Sequence, residues 1–269
     1  MPEAPARHEY ELDLLTALDL ALRVTKGYGA PELEPVLTRA AALAQQVGEP
    51  TQRFAVLLAL WSFRITRAEY QVAHAVAEQL FDLAQRQHDP TLLLSAHYAL
   101  GQLSYQVGTF APARTHWEQG IALNDPQRHA TPDTIPGSTR NYGLDCRSHL
   151  ALVLRTLGRL AESEQLLRQV LAIRRRVLDD SHPLIASALV ACAGTLEASG
   201  RLGEAEPLYG EAVQRLSRQP GAADAAVRAA VQAWCQCLQS LGRHDHADRV
   251  RNRFGPPKAS GASADSRSG

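Results

Sequence analysis

The chain has 269 residues, and its 28 Lys and Arg balance 28 Asp and Glu. With no basic excess to neutralise phosphates, nucleic-acid binding is disfavoured. No apolar run approaches the ~18 residues of a membrane span, and the opening MPEAPARHEYELD lacks the charged-then-apolar design of an export signal, so a cytoplasmic protein without membrane attachment is expected.

In chain order, helical periodicity predicts helices over 8–25, 31–47, 52–67, 70–87, 91–107, 110–123, 144–157, 160–178, 183–199, 202–217, 222–241 and 244–253. No strand is needed. Pro31, Pro90 and Pro183 fall at helix starts, where a missing N–H costs nothing. Residues 1–7 and the Gly/Ser/Pro-rich tail 255–269 are expected to be disordered, leaving a helical array over 8–254. One irregular link, 124–143, interrupts it. A link of that length without periodicity is normally functional or disordered.

The helices repeat a single pattern. The frames are Leu20/Leu33/Leu37/Ala40, Leu60/Ala73/Ala77/Leu80, Leu100/Ala113/Trp117/Gly120, Leu150/Ser163/Leu167/Val170, Cys192/Ala205/Tyr209/Ala212 and Trp234/Ala247/Arg251/Phe254. Every frame uses offsets of 13, 17 and 20, and successive anchors lie 40, 40, 50, 42 and 42 residues apart. Bulky-small pairs such as Leu100-Gly101, Leu150-Ala151 and Cys192-Ala193 let a second helix cross the first closely. Gly108, Gly158, Gly200 and Gly242 end the first helix of their pairs as C-terminal glycines should. Such a unit cannot bury its apolar face alone, but a stack can, which argues for one elongated body.

These offsets and turns resemble the tetratricopeptide repeat, lengthened from its usual ~34 residues. The resemblance implies an all-α, right-handed superhelical solenoid of six helix pairs. Two stretches are similar to narrower groups. The segments VTKGYGAPELEPVLTRAAALAQQVG and LWSFRITRAEYQVAHAVAEQLFDLAQRQ onward resemble the C-terminal helical region of multidomain bacterial signalling proteins, in which a nucleotide cyclase or kinase domain and a P-loop ATPase come first. In that group the link carries a YGQDPG-like segment, of which Tyr142-Gly143 and Asp145 survive here. From Ser148 to Tyr209, the AIRRRVLDDSHP link and GRLGEAEPLY turn resemble kinesin-light-chain-type repeats.

Candidate chemistry is sparse. There is no GxxxxGK[ST] phosphate loop, and no cyclase or kinase core. His244, Asp245 and His246 form the one metal-like cluster, but His at i and i+2 diverge on a helix, so a solvated turn is expected. Cys235 and Cys237 diverge in the same way, and Cys192 and Cys235 read as small core residues. His182 is expected to order the turn before Pro183, and Arg174-Arg175-Arg176 reads as a solvated helix end, with a basic docking patch as the sharper option. No enzyme activity, cofactor or metal is expected.

The resemblance also implies a concave groove lined by the first helix of each pair. Its lining positions fall at Tyr98, Gln102, Tyr105 and Gln106, at Ser148, Arg155 and Thr156, at Glu197, and at Gln232, Gln236 and Gln239. The lysines and asparagines with which chaperone-binding relatives clamp a C-terminal carboxylate are missing, as are the paired asparagines common in kinesin-light-chain repeats. The expected function is a non-catalytic scaffold that binds a peptide or partner helix in this groove, in bacterial signalling or transcriptional regulation. The alternative is a regulatory segment detached from a cyclase, kinase or P-loop ATPase signalling protein.

Overall fold

The computed structural model describes residues 4–124, 135, 136, 138, 140–218 and 224–254. Among them are twelve α-helices and no strand. The chain divides into two compact units, Met1–Leu157 and Gly158–Gly269.

The first unit contains α1 (Ala4–Lys26), α2 (Leu33–Val47), α3 (Pro50–Thr66), α4 (Tyr70–Gln87), α5 (Pro90–Gln106), α6 (Phe110–Leu123) and α7 (Tyr142–Thr156). The second contains α8 (Leu160–Val177), α9 (Pro183–Ala198), α10 (Leu202–Ser217), α11 (Asp224–Ser240) and α12 (His244–Phe254). Only the start of α1 departs from its predicted boundary by more than two residues, because residues 4–7 are helical rather than irregular. Residues 1–3 and the tail 255–269 lie outside the described residues, as does most of the link.

Within each unit, every helix packs on its neighbours in sequence. The odd-numbered helices also touch one another, α3 on α5 and α5 on α7 in the first unit and α9 on α11 in the second, so each unit has its own row of them. This is the helix-pair repeat that the period predicts.

The frames account for this packing. Ala73, Ala77, Leu80, Ala113, Trp117, Leu167, Val170, Ala205, Tyr209 and Ala212 are all at most 3% exposed. The first frame is corrected at Leu20, which is 47% exposed, because α1 turns Leu12 and Asp19 inward instead, Leu12 packing on α2 and on Val56 of α3. The last frame frays: Arg251 is exposed and pairs with Asp248 at 2.7 Å.

Small residues set the closest crossings. A Cβ on Gly101 of α5 would lie 2.4 Å from Nε1 of Trp117 on α6, so only glycine lets that indole seat. The turns recur with the same backbone. Gly108, Gly158, Gly200 and Gly242 have φ between 73° and 81°, and Ala68 fills the equivalent place at φ 58°. At Gly200 the cap closes by two bonds, Gly200 N–H to Glu197 O at 2.9 Å and Arg201 N–H to Leu196 O at 2.9 Å. His182 caps α9 as expected, its Nδ1 accepting from Leu184 N–H at 3.2 Å. Cys146, Cys192, Cys235 and Cys237 are buried thiols, none of them in a disulfide.

Replacing Gly101 with alanine should destabilise the first unit by about 1–3 kcal/mol, because a rigid indole cannot give way cheaply. Gly203→Ala in α10, whose Cβ would meet nothing within 4 Å, serves as the control and should be neutral or slightly stabilising. Chemical denaturation of the two variants checks this; equal midpoints would contradict the close crossing.

Candidate binding site

The odd-numbered row of the first unit carries an aromatic chain that reaches its surface. Trp117, fully buried on α6, packs against Tyr105 of α5 at 5.9 Å between ring centroids and against His149 of α7 at 5.3 Å. His149 in turn meets Tyr98 of α5 edge-on at 5.5 Å, and Tyr98 meets Trp61 of α3 edge-on at 5.9 Å. Tyr105 also leans on Phe110, at 5.7 Å. Such offset and edge contacts add to the area each ring buries.

Tyr98 is therefore not the open groove residue that the resemblance implies. It is 3% exposed. Part of its cover is local, from Trp61 and His149, and part comes from the link and the start of α7. Tyr142 packs against it at 5.2 Å, and the guanidinium of Arg140 lies 4.9 Å from its ring centre. Arg140 Nη2 donates to the Tyr98 hydroxyl at 2.8 Å, and Arg140 Nε donates to Asp145 Oδ2 at 2.8 Å. Burial pushes the Tyr98 phenol well above its ordinary range, so it stays neutral and serves Arg140 as an acceptor.

The start of α7 holds this arrangement in place. Asn141 caps the helix by accepting from Leu144 N–H at 2.9 Å, which fixes Tyr142 and Asp145 on its first turn. Asn124, just past α6, packs where a Cβ on Gly143 would clash at 2.0 Å, and it accepts from Arg147 Nη1 at 3.3 Å. Both ends of the link are thus pinned to α7. Between them Ile135 is 3% exposed, and Pro136 and Ser138 line a small cavity of about 30 Å³ with Leu15, Asp19 and Arg23 of α1 and Leu58 of α3. Ser138 Oγ lies 3.2 Å from the Tyr142 hydroxyl. The described residues of the link therefore pass beside α1, α3, α5 and α7.

The other expected groove residues divide by unit. On α5, Gln102 is half-buried with Oε1 lacking a hydrogen-bond partner, and Gln106 is exposed. Tyr105 is half-buried in the Phe110 and Trp117 contacts. On the adjacent α7, Ser148 donates to Leu144 O at 2.8 Å, Thr156 is exposed, and Arg155 makes no ion pair among the described residues. In the second unit Glu197 accepts from the Tyr209 hydroxyl at 2.8 Å. Gln232, Gln236 and Gln239 are exposed and border a cavity of about 370 Å³ with Arg228 and Arg251.

Two other sequence features find structural duties. Arg174 is 4% exposed and donates to Leu184 O at 3.1 Å, while Arg175 pairs with Glu211 at 2.7 Å, so the arginine run is not a free basic patch. His246 packs edge-on against Trp234 at 5.7 Å. Among the described residues no group of three or more His, Cys, Asp or Glu is placed to hold a metal ion, and no helix is long and apolar enough to cross a membrane.

The helical repeat has counterparts among known proteins. Residues 146–218 match the tetratricopeptide repeat family. This covers the stretch whose sequence resembles kinesin-light-chain-type repeats. The solved structure of BtubC (BKLC) from P. vanneervenii is similar at a TM-score of 0.62 and 14% identity, covering 94% of this chain and 90% of that one. A Podosopora anserina protein of the kinesin light chain kind, with nearly identical TPR-like repeats, is similar at 0.61 and 19% identity over 77% and 94% of the two chains. A Rap protein complexed with competence and sporulation factor reaches 0.67 at 12% identity, over 94% of this chain and 66% of that one. At these identities the likeness shows the shared fold. No curated protein sequence matches the chain significantly.

A pair of imidazoles beneath this row was not singled out in the sequence. His97 on α5, 8% exposed, places Nδ1 3.2 Å from Nδ1 of His116 on α6, with Phe81 edge-on at 5.1 Å. Burial, with His116 adding to it, pushes His97 from the ordinary 6.5 down to about 4, and burial lowers His116 as well. The unfolded chain then takes up these protons more readily than the folded one, so stability is whole above about pH 6.5 and drains away as pH falls towards 4. We expect the first unit to lose on the order of 1–2 kcal/mol between pH 7 and pH 5. His97→Gln should flatten that slope in urea titrations; an unchanged slope would show that the pair is not its source.

Proposed function

We propose that the chain is a non-catalytic protein-interaction scaffold of the tetratricopeptide type, and that the odd-helix face of the first unit binds a protein or peptide partner. The observation that carries this reading is the occupied state of that face. Residues 136, 138 and 140 of this same chain lie beside α1, α3, α5 and α7, with Arg140 held on Tyr98 and Asp145, which is how a residue of an extended peptide would be held. Beyond the Arg140 contacts, Gln102, Gln106, Arg155 and Thr156 supply polar groups on α5 and α7, with the half-buried ring of Tyr105 as an apolar anchor. Rings of this kind bring large contact area at low entropic cost.

The Rap protein of similar fold, solved with competence and sporulation factor, supports a binding role for such an array. The first-half resemblance to helical regions of multidomain signalling proteins supports a place in bacterial signalling or transcriptional control. The glutamine-lined cavity at α11 and α12, with Gln232, Gln236, Gln239 and two arginines, is the second surface on which a partner could rest in this reading.

A photo-crosslinking residue placed at Gln106 or Thr156, compared with one at Gln119 on the outer side of α6, tests this in the cell. The same partner should be captured at both of the first two positions and not at the third. Arg155→Ala should then weaken binding of that purified partner about tenfold or more, the cost of losing a charged hydrogen bond, while helicity is unchanged. Capture at Gln119 alone would move the binding surface to the even-numbered helices.

A further inference from the structure

Tyr98, Tyr142 and Asp145 have the composition of an arginine receptor. Two aromatic rings offer faces to a cation, with the Arg140 guanidinium 4.9 Å and 5.8 Å from their centres. The Asp145 carboxylate and the Tyr98 hydroxyl accept from two different nitrogens of the same planar group. A guanidinium can make these contacts together because its donors are fixed in a fork. An ammonium group is a single point of charge and cannot reach both acceptors while covering both rings.

The walls of this box have supports besides their occupant. Tyr98 is braced by Trp61 and His149. Tyr142 and Asp145 stand on the first turn of α7, which Asn141 caps. The occupant is less secure. The Arg140 side chain is 42% exposed, against 11% for the Asp145 side chain that it pairs with. Arg140 precedes α7 by two residues, so a small change in the backbone between them would carry it off. A nearly buried carboxylate left without its cation is unfavourable, so an emptied box calls for another cation.

We propose that this box is a binding site for an arginine side chain of an extended partner peptide, and that Arg140 fills it from within the chain until such a peptide takes its place. The proposal rests on the odd-helix face being the binding face, and it names the partner chemistry: an arginine with an apolar residue some five positions before it, as Ile135 precedes Arg140. Ile135 is 3% exposed, so that spacing sets an apolar side chain and a guanidinium on the unit at once. Because Arg140 competes as a tethered ligand, at an effective concentration that is roughly millimolar for short links, the native protein responds only to a peptide that binds well enough to overcome it.

The test uses the link's own sequence as probe. Fluorescein-labelled IPGSTRN, matching residues 135–141, is titrated by anisotropy into the wild-type chain and into Arg140→Ala, with IPGSTAN as the control peptide. Arg140→Ala should bind IPGSTRN at least tenfold more tightly than the wild type does and at least tenfold more tightly than it binds IPGSTAN. Adding Tyr98→Phe to Arg140→Ala should cut that preference for the arginine peptide. Should Arg140→Ala fail to fold, Arg140→Gln is used in the same titration, and unfolding of both variants would make Arg140 a fixed staple and overturn the proposal. Equal binding of the two peptides by a folded variant overturns it as well. Neither result touches the crosslinks at Gln106 and Thr156, so failure of the box and failure of the binding face are read separately.

Discussion

The first unit is organised around the seat that Gly101 gives Trp117. An indole can be fully buried between α5 and α6 only because the facing position has no Cβ. Once seated, Trp117 becomes the inner end of an aromatic chain through His149 to Tyr98 and Trp61, with Tyr105 and Phe110 branching from it. Packing interiors are dense and transmit displacement. A shift at this crossing therefore moves the ring on which Arg140 rests, and the close helix crossing is what positions the candidate site.

From this follows the character of the proposed binding face. On α5 and α7 much of the aromatic area is committed to packing, and beside it Gln102, Gln106, Arg155 and Thr156 are half-buried or exposed polar side chains. Tyr98 is covered in part by Arg140 of the chain's own link. A solenoid row offers a long continuous surface to an extended ligand, and here the chain itself makes the first use of it. The structural likeness to BtubC and to the Rap protein speaks for the shared helical repeat, while the side chains that would recognise a partner belong to this sequence.

Much of the fold was legible because its determinants are local or periodic. Small residues at Ala73, Ala113 and Ala205 mark where helices meet, and turn glycines such as Gly108 and Gly200 mark a left-handed backbone. Ala68 adopts that backbone without being glycine, so its turn carries no such mark. Leu20 was misplaced because α1 buries a different side, packing Leu12 with Ala40, Leu43 and Ala44 of α2 and Val56 of α3 and leaving Leu20 47% exposed. Asp19, buried with its partner Arg23 at 2.5 Å, breaks the apolar pattern outright. The site was harder to read. Tyr98 does lie in the row that the resemblance assigns to it, but its cover arrives partly from Arg140, 42 residues away, within a link that has no period. Tyr142 and Asp145 stood out as remnants of a motif, yet nothing in their spacing pairs them with Tyr98. The His97 and His116 pair likewise joins two helices through positions 19 residues apart that no repeat offset connects.

Whether Arg140 and Tyr98 interact across that distance is measured directly by a double-mutant cycle. Tyr98→Phe removes the acceptor and keeps the ring, while Arg140→Ala removes the cation. Urea denaturation of the wild type, both single variants and the double variant should return a coupling energy of about 1 kcal/mol or more, within the range found for residues that share a hydrogen bond. Additive effects, with coupling indistinguishable from zero, would contradict this and mean that Arg140 does not clasp the face through Tyr98.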